Sequence, residues 1–261
     1  MPPGIRLRHA VGSNRGPRPA TNGDSAYAGA HLLAVADGGE DRAGASIAAD
    51  TAIAPLRALD AGLPGLLGEP HDTRSPVPPR SPFATDPLAE RLAALLGDAF
   101  QTADAHLRDR IETDPALQGM GTTLTALLHW EGRLVLTSVG DSPFYRLRGN
   151  EIFQDGHHDP TLIQSLLDEN RISPQEAGLH QQYSSILEGG PGLRPYTSRW
   201  DVMPGDRYLL GTGGLTGAVP TRSVYEALLA SPTPADAVRR LLDLAPDDTT
   251  CVVADAVPSE G

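Results

Sequence analysis

The chain has 261 residues, 39% hydrophobic and 21% charged, a composition that suits one large domain or two small ones with a buried core. Its formal net charge of −12 argues against nucleic acid as a partner, because no surplus of cations exists to displace counterions from phosphate. All 21 basic residues are arginine, which excludes lysine chemistry of any kind, from Schiff bases to a phosphate-loop lysine.

In chain order, the N-terminal "MPPGIRLRHA" lacks the apolar core of a signal peptide, and no later run approaches the ~20 apolar residues of a membrane span. The expectation is a soluble, cytoplasmic protein. "HLLAVADGG" reads as a buried strand with a tight Asp-Gly-Gly exit. "GASIAADTAIAPLRALDAG" is helical in composition, with Ile47, Ile53, Leu56 and Leu59 at loosely helical spacing and a kink or restart expected at Pro55. A Pro/Gly-rich loop or insertion is expected at about 62–87, where periodicity fails; it is a candidate docking segment or a passive insertion. A second helix carries Leu88, Leu92, Leu95, Leu96, Phe100, Leu107 and Ile111.

From Gly121 the period changes to short strands and tight turns, "TTLTALLHW", "RLVLTSVG", "FYRLR" and "EIFQ", which read as an antiparallel meander. "PTLIQSLLDENRISPQEAGLH" restores helical spacing, with a new helix at Pro174. Strand "RYLLGT", helices around Val224–Ala230 and Ala235–Leu244, and strand "TTCVVADAV" complete the chain. Strands come in blocks without βαβ alternation, which gives an α+β class with antiparallel sheets and outer helices, in one domain. The lone Cys251 lies in the last strand and reads as a buried structural thiol compatible with a reducing compartment.

Acids stand at the strand ends, Asp37 after "LLAVA", Asp141 after "LVLTSVG" and Asp247-Asp248 before "TTCVV", while Asp24 in "NGDS" is expected to precede the first strand. Rigid strands can hold such oxygens for a hard cation, although each acid taken singly reads as a turn residue. In order, "NGDSAYAGAHLLAVADGGEDRAGASIA", "GMGTTLTALLHWEGRLVLTSVGDSPFYRLRGNEI", "ENRISPQEAGLH", "PGDRYLLGTGGLTGAVP" and "PDDTTCVV" resemble the successive motifs of the metal-dependent Ser/Thr protein phosphatases of type 2C, the PPM-type family. The resemblance covers nearly the whole chain.

It implies an αββα sandwich of two antiparallel sheets flanked by paired helices, with a two-metal Mn2+ or Mg2+ centre at one edge. There, water attacks phosphoserine or phosphothreonine of a phosphoprotein partner, such as a member of a kinase pathway. Asp37 and the Gly38 carbonyl would be ligands of one ion and Asp247 of the other. Asp24 would orient a coordinated water, and Asp141 would serve a weaker third site. His157-His158 falls near the family's Asp-His-Ser position, with a surface or structural role as the simpler reading.

This sequence also departs from the family pattern. Gly213 stands where a metal-binding aspartate is expected, Gly23 where a glutamate is, Glu40 and Asp41 in place of two glycines, and Pro143 in place of an arginine. The phosphate-gripping arginine is replaced by Pro19, leaving Arg18 or Arg15 to serve. "GTGGL" is no phosphate cradle, because no Gly-Lys-Ser/Thr follows. The expectation is therefore a phosphatase-like protein with impaired catalysis, or a pseudophosphatase with a regulatory or protein-binding role, holding one ion or none. The alternative is an active Mn2+/Mg2+-dependent phosphatase, since Glu40, Asp41 and Asp248 add carboxylates nearby.

Overall fold

The computed structural model describes residues 4–15, 22–39, 44–68, 86–155, 173, 186–245 and 248–259. Its elements are β1 (Ile5–Asn14), β2 (Asp24–Ala28), β3 (Leu32–Asp37), α1 (Ala45–Leu67), α2 (Pro87–Thr113), β4 (Leu124–Trp130), β5 (Arg133–Val139), β6 (Phe144–Arg148), β7 (Glu151–Asp155), β8 (Tyr196–Asp201), β9 (Arg207–Gly211), α3 (Gly213–Ala218), α4 (Thr221–Leu229), α5 (Pro234–Leu244) and β10 (Thr249–Pro258). One sheet has the order β1-β10-β9-β6-β7 and the other β2-β3-β4-β5-β8. Every pairing is antiparallel.

Three apolar layers hold the sandwich together. In β3, Leu32, Ala34 and Ala36 face α1 and α2, while Leu33 and Val35 face the opposite sheet. In β10, Cys251 and Val253 face α4 and α5, while Val252 and Ala254 lie between the sheets. Both faces of these strands are dry, so their sequences are continuous apolar runs rather than alternations. The expected α+β sandwich with outer helices is thus observed, layered α, β, β, α.

The helices follow local rules. Asp86 caps α2, its carboxylate accepting from the N–H groups of Leu88 and Ala89 at 3.1 and 3.3 Å, with Pro87 at the first helical position. Leu92, Leu96, Phe100 and Leu107 of α2 are fully buried, as their spacing predicts.

Several expectations need correction. Residues 62–67 are helical rather than loop: α1 continues through Pro55 and Pro64, because Leu63 is buried and Leu67 packs on the same core. The remainder of the Pro/Gly-rich segment, residues 69–85, lies outside the described residues, as do the helices expected around Pro174. Ile47 is 38% exposed, since the buried stripe of α1 runs along Ala48, Ala49, Ala52, Ile53, Leu56 and Leu63. The meander is split between sheets. β4 and β5 pair in one, β6 and β7 in the other, and Gly140, at φ 97, begins the crossover. Asp24 opens strand β2 rather than preceding the first strand, and β1 comes earlier still.

Candidate active site

The chain brings many strand ends to one end of the sandwich. Asp24 at the start of β2 is paired with Asp37 at the end of β3. Asn14 and Ser13 at the end of β1 are paired with Thr249 and Thr250 at the start of β10, and Cys251 with Gly211 at the end of β9.

Asp37 is held firmly. Its N–H donates to Thr123 Oγ1 at 3.2 Å, its carbonyl accepts from the Thr123 N–H at 2.8 Å, and Thr123 Oγ1 shares a 2.7 Å hydrogen bond with Ser142 Oγ. The two carboxylate oxygens each accept an amide, from Gly39 on Oδ1 and from Gly213 on Oδ2, both at 2.9 Å. Gly38 must be glycine, because a Cβ there would lie 2.2 Å from the Ala45 carbonyl oxygen. Asp24 Oδ2 accepts from the Thr212 hydroxyl at 2.7 Å, and its N–H donates to Asn22 Oδ1 at 2.8 Å. Asp248 Oδ2 accepts from the Gly23 N–H at 3.1 Å.

These acids repel one another. Burial pushes the Asp24 carboxyl up to about 7, and the charges of Asp37 and Asp248 add to the rise, against hydrogen bonds from Thr212 and Thr250. A cluster of oxygen donors with uncompensated negative charge suits a hard divalent cation. The described residues do not complete a ligand set: no group of three or more His, Cys, Asp or Glu among them is placed to hold an ion, and Asp247 lies outside them.

Both positions that lack an expected acid present a backbone N–H to a remaining one, Gly213 to Asp37 and Gly23 to Asp248. At 213 a Cβ would meet only Asp37 Oδ2, at 3.0 Å, so a carboxylate there would adjoin that of Asp37. At 23 a Cβ would press on the Ala45 Cβ at 3.2 Å. The strand read as "RYLLGT" ends at Gly211, and α3 begins at Gly213.

Asp141 is exposed in the turn between β5 and β6, one residue from Ser142, and Arg15 is exposed just beyond β1. Arg18, Pro19, Glu40, Asp41, His157, His158 and Asp247 lie outside the described residues. The hydroxyls of Ser13, Thr123, Ser142, Thr212 and Thr250 were not legible as site residues; the only hint was the Thr-Thr pair that leads into both β4 and β10.

The crystal structure of the serine/threonine phosphatase PstP/Ppp of Mycobacterium tuberculosis is 38% identical and superposes with a TM-score of 0.76, covering 97% of this chain and 99% of that one. The chain belongs to the PPM-type Ser/Thr phosphatases. The catalytic domain of PstP in complex with two manganese ions is 37% identical, with a TM-score of 0.75 over 97% of this chain and 99% of that one. The PPM phosphatase MsPP of Mycobacterium smegmatis, in complex with cacodylate, is 29% identical with a TM-score of 0.68, over 95% of this chain and 97% of that one. Among curated proteins, M. tuberculosis PstP is 39% identical over 258 residues, 96% of this chain and 45% of that protein. The serine/threonine phosphatase stp of Listeria monocytogenes is 29% identical over 150 residues, 56% of this chain and 58% of that protein. The chain thus spans about half the length of the curated relatives it matches. No family model matches it. Among the described residues no helix of this PPM-type chain is long and apolar enough to cross a membrane.

Proposed function

We propose that this chain is a PPM-type phosphatase domain acting on phosphoserine and phosphothreonine of cytoplasmic phosphoproteins, with hydrolysis strongly reduced by a weakened metal centre. One observation carries the reading: the Gly213 N–H donates to Asp37 Oδ2 where the family pattern places an aspartate. A full negative charge is thereby exchanged for a dipole whose positive end points at the ion's ligand. Loss of even an outer partner typically costs 10–100-fold in metal affinity or activity, and loss of a direct ligand costs more.

Asp37 and the Gly38 carbonyl would hold one Mn2+ or Mg2+ ion and Asp247 a second, weaker one, with Asp24 behind them and Asp141 at the rim. A divalent ion there supplies the Lewis-acid charge for attack of water on a phosphate monoester. The chain's own part is to fix Asp37 between two amides and Thr123, and to grip phosphate through Arg15 or Arg18. The crowding of Asp24 with Asp37 and Asp248 favours residual cation binding over a wholly inert fold, because a nearby cation would offset their mutual repulsion.

The test is p-nitrophenyl phosphate hydrolysis across a Mn2+ titration for the parent, Asp37→Asn and Gly213→Asp. Expected are low saturable turnover in the parent, none with Asp37→Asn, and a rise of about tenfold or more with Gly213→Asp. Vigorous parent turnover that Gly213→Asp leaves unchanged would sink the proposal of impairment.

A further inference from the structure

Thr212 is wholly buried, at 0% exposure, between the end of β9 and the start of α3. Its backbone N–H donates to the Thr250 carbonyl at 2.9 Å, and the Thr250 N–H donates back to Thr212 Oγ1 at 2.9 Å. An N–H can only donate, so the hydroxyl oxygen is the acceptor there and its proton is sent the other way, to Asp24 Oδ2 at 2.7 Å. The polarity of the link is fixed by β10, one sheet away from the carboxylate that receives it. Asp24 is braced from a second direction. Asn22 accepts the Asp24 N–H through Oδ1 and donates through Nδ2 to Ser13 Oγ at 2.7 Å, and the Ser13 and Thr250 hydroxyls share a 2.7 Å hydrogen bond. Ser13, Asn22, Thr212 and Thr250 thus close a ring around Asp24 that joins β1, β9 and β10 to β2.

We propose that Thr212 is a positioning residue for the cation site: its hydroxyl, oriented by the Thr250 amide, fixes the Asp24 carboxyl in one orientation as a directed hydrogen-bond acceptor. The inference rests on the proposed reading of Asp24 as a site acid. The simpler role, a seam between two sheets, predicts lost stability without selective loss of metal binding. Preorganised carboxylates bind better because no rotamer must be frozen when the ion arrives.

Calorimetric Mn2+ titration and apo melting curves would be recorded for the parent, Thr212→Val, Thr212→Ser, Asp24→Asn and the Thr212→Val/Asp24→Asn double variant. Thr212→Val is expected to weaken Mn2+ binding by about tenfold and Thr212→Ser to restore it. The Thr212→Val loss should vanish in the Asp24→Asn background, since a residue that acts through another has nothing left to act on. Equal Mn2+ affinity of parent and Thr212→Val, or losses that add in the double variant, overturns the inference while leaving the site reading intact. No Mn2+ binding by the parent overturns the site reading and the inference with it. Should Thr212→Val fail to fold, Ser13→Ala makes the same comparison one link farther out, with a smaller loss that again cancels in Asp24→Asn.

Discussion

Two titratable side chains, the half-buried Asp24 and the buried His129, pull the protein's acid–base behaviour in opposite directions. The Asp24 carboxyl stands at about 7 in the fold, above its ordinary 3.8, so the folded state binds its proton more tightly than the unfolded chain. The stability this contributes is complete below pH 3.8 and is lost as pH rises through about 7. His129 is the reverse case. Burial, with His31 nearby, lowers it from 6.5 to about 4, and its Nε2 has no hydrogen-bond partner among the described residues. Its contribution is complete above pH 6.5 and is lost as pH falls through about 4. In metal-free protein, Asp24→Asn is expected to raise the melting temperature at pH 8 relative to pH 5. His129→Leu is expected to raise it at pH 5 relative to pH 8. Scanning fluorimetry at both pH values checks the pair, and a shift of either in the wrong direction refutes that assignment. Position 213 adds the remaining prediction at this scale, the gain of Mn2+-dependent turnover on Gly213→Asp. That prediction comes from the sequence, because a missing acid in a motif is as visible as a present one. The Thr212 hydroxyl was not legible there, because serine and threonine occur everywhere and only geometry shows which one points at a carboxylate.

At the scale of elements, the sequence was clearest where one face was wet and the other dry. The stripe of α2 from Leu92 to Leu107 was read directly. α1 was read too short, because Pro64 signals a break and only burial of Leu63 shows why the helix goes on. β1, β2 and β8 carry charged and polar residues at sheet edges, so little marked them as strands. One junction between elements is unforgiving. In the stretch described from Ile186 onward, Gly189 is clasped to α2: Arg108 Nε donates to its carbonyl at 2.8 Å and its N–H donates to the buried Asp104 at 2.8 Å. Gly189 sits at φ 73, and a Cβ would lie 2.7 Å from the Arg108 Cα. Gly189→Ala should therefore cost about 1–3 kcal/mol in urea unfolding. A loss below about 0.5 kcal/mol would show the clasp to be slack. Leu96→Ala, at the centre of the α2 face, should cost about 2–5 kcal/mol by the same measurement.

For the whole molecule, the order of sheets was not readable from local pattern. "FYRLR" follows "RLVLTSVG" closely enough to suggest one meander, yet each finds its other neighbour far along the chain, β8 for β5 and β9 for β6. Local spacing sets which segments are strands; the demand that every apolar face be covered decides which strands meet. The resemblance to known motifs supplied the two-sheet sandwich that propensity alone did not, but not the order of its strands. The chain's acidity, −12 overall, is shared between a solvated surface and the unusual crowding around Asp24.

The pairing of β1 with β10, Ile5 opposite Pro258, has a consequence in time. Asn14 and Ser13 meet Thr249 and Thr250 only after some 235 intervening residues have been made, so a ribosome must deliver almost the whole described chain before Asp24 acquires its brace. Such long loops close slowly, and proteins dominated by distant pairings fold over about milliseconds to seconds. A cation site that uses a braced Asp24 would therefore form only once the final strand has docked, and a nascent or truncated domain would lack it.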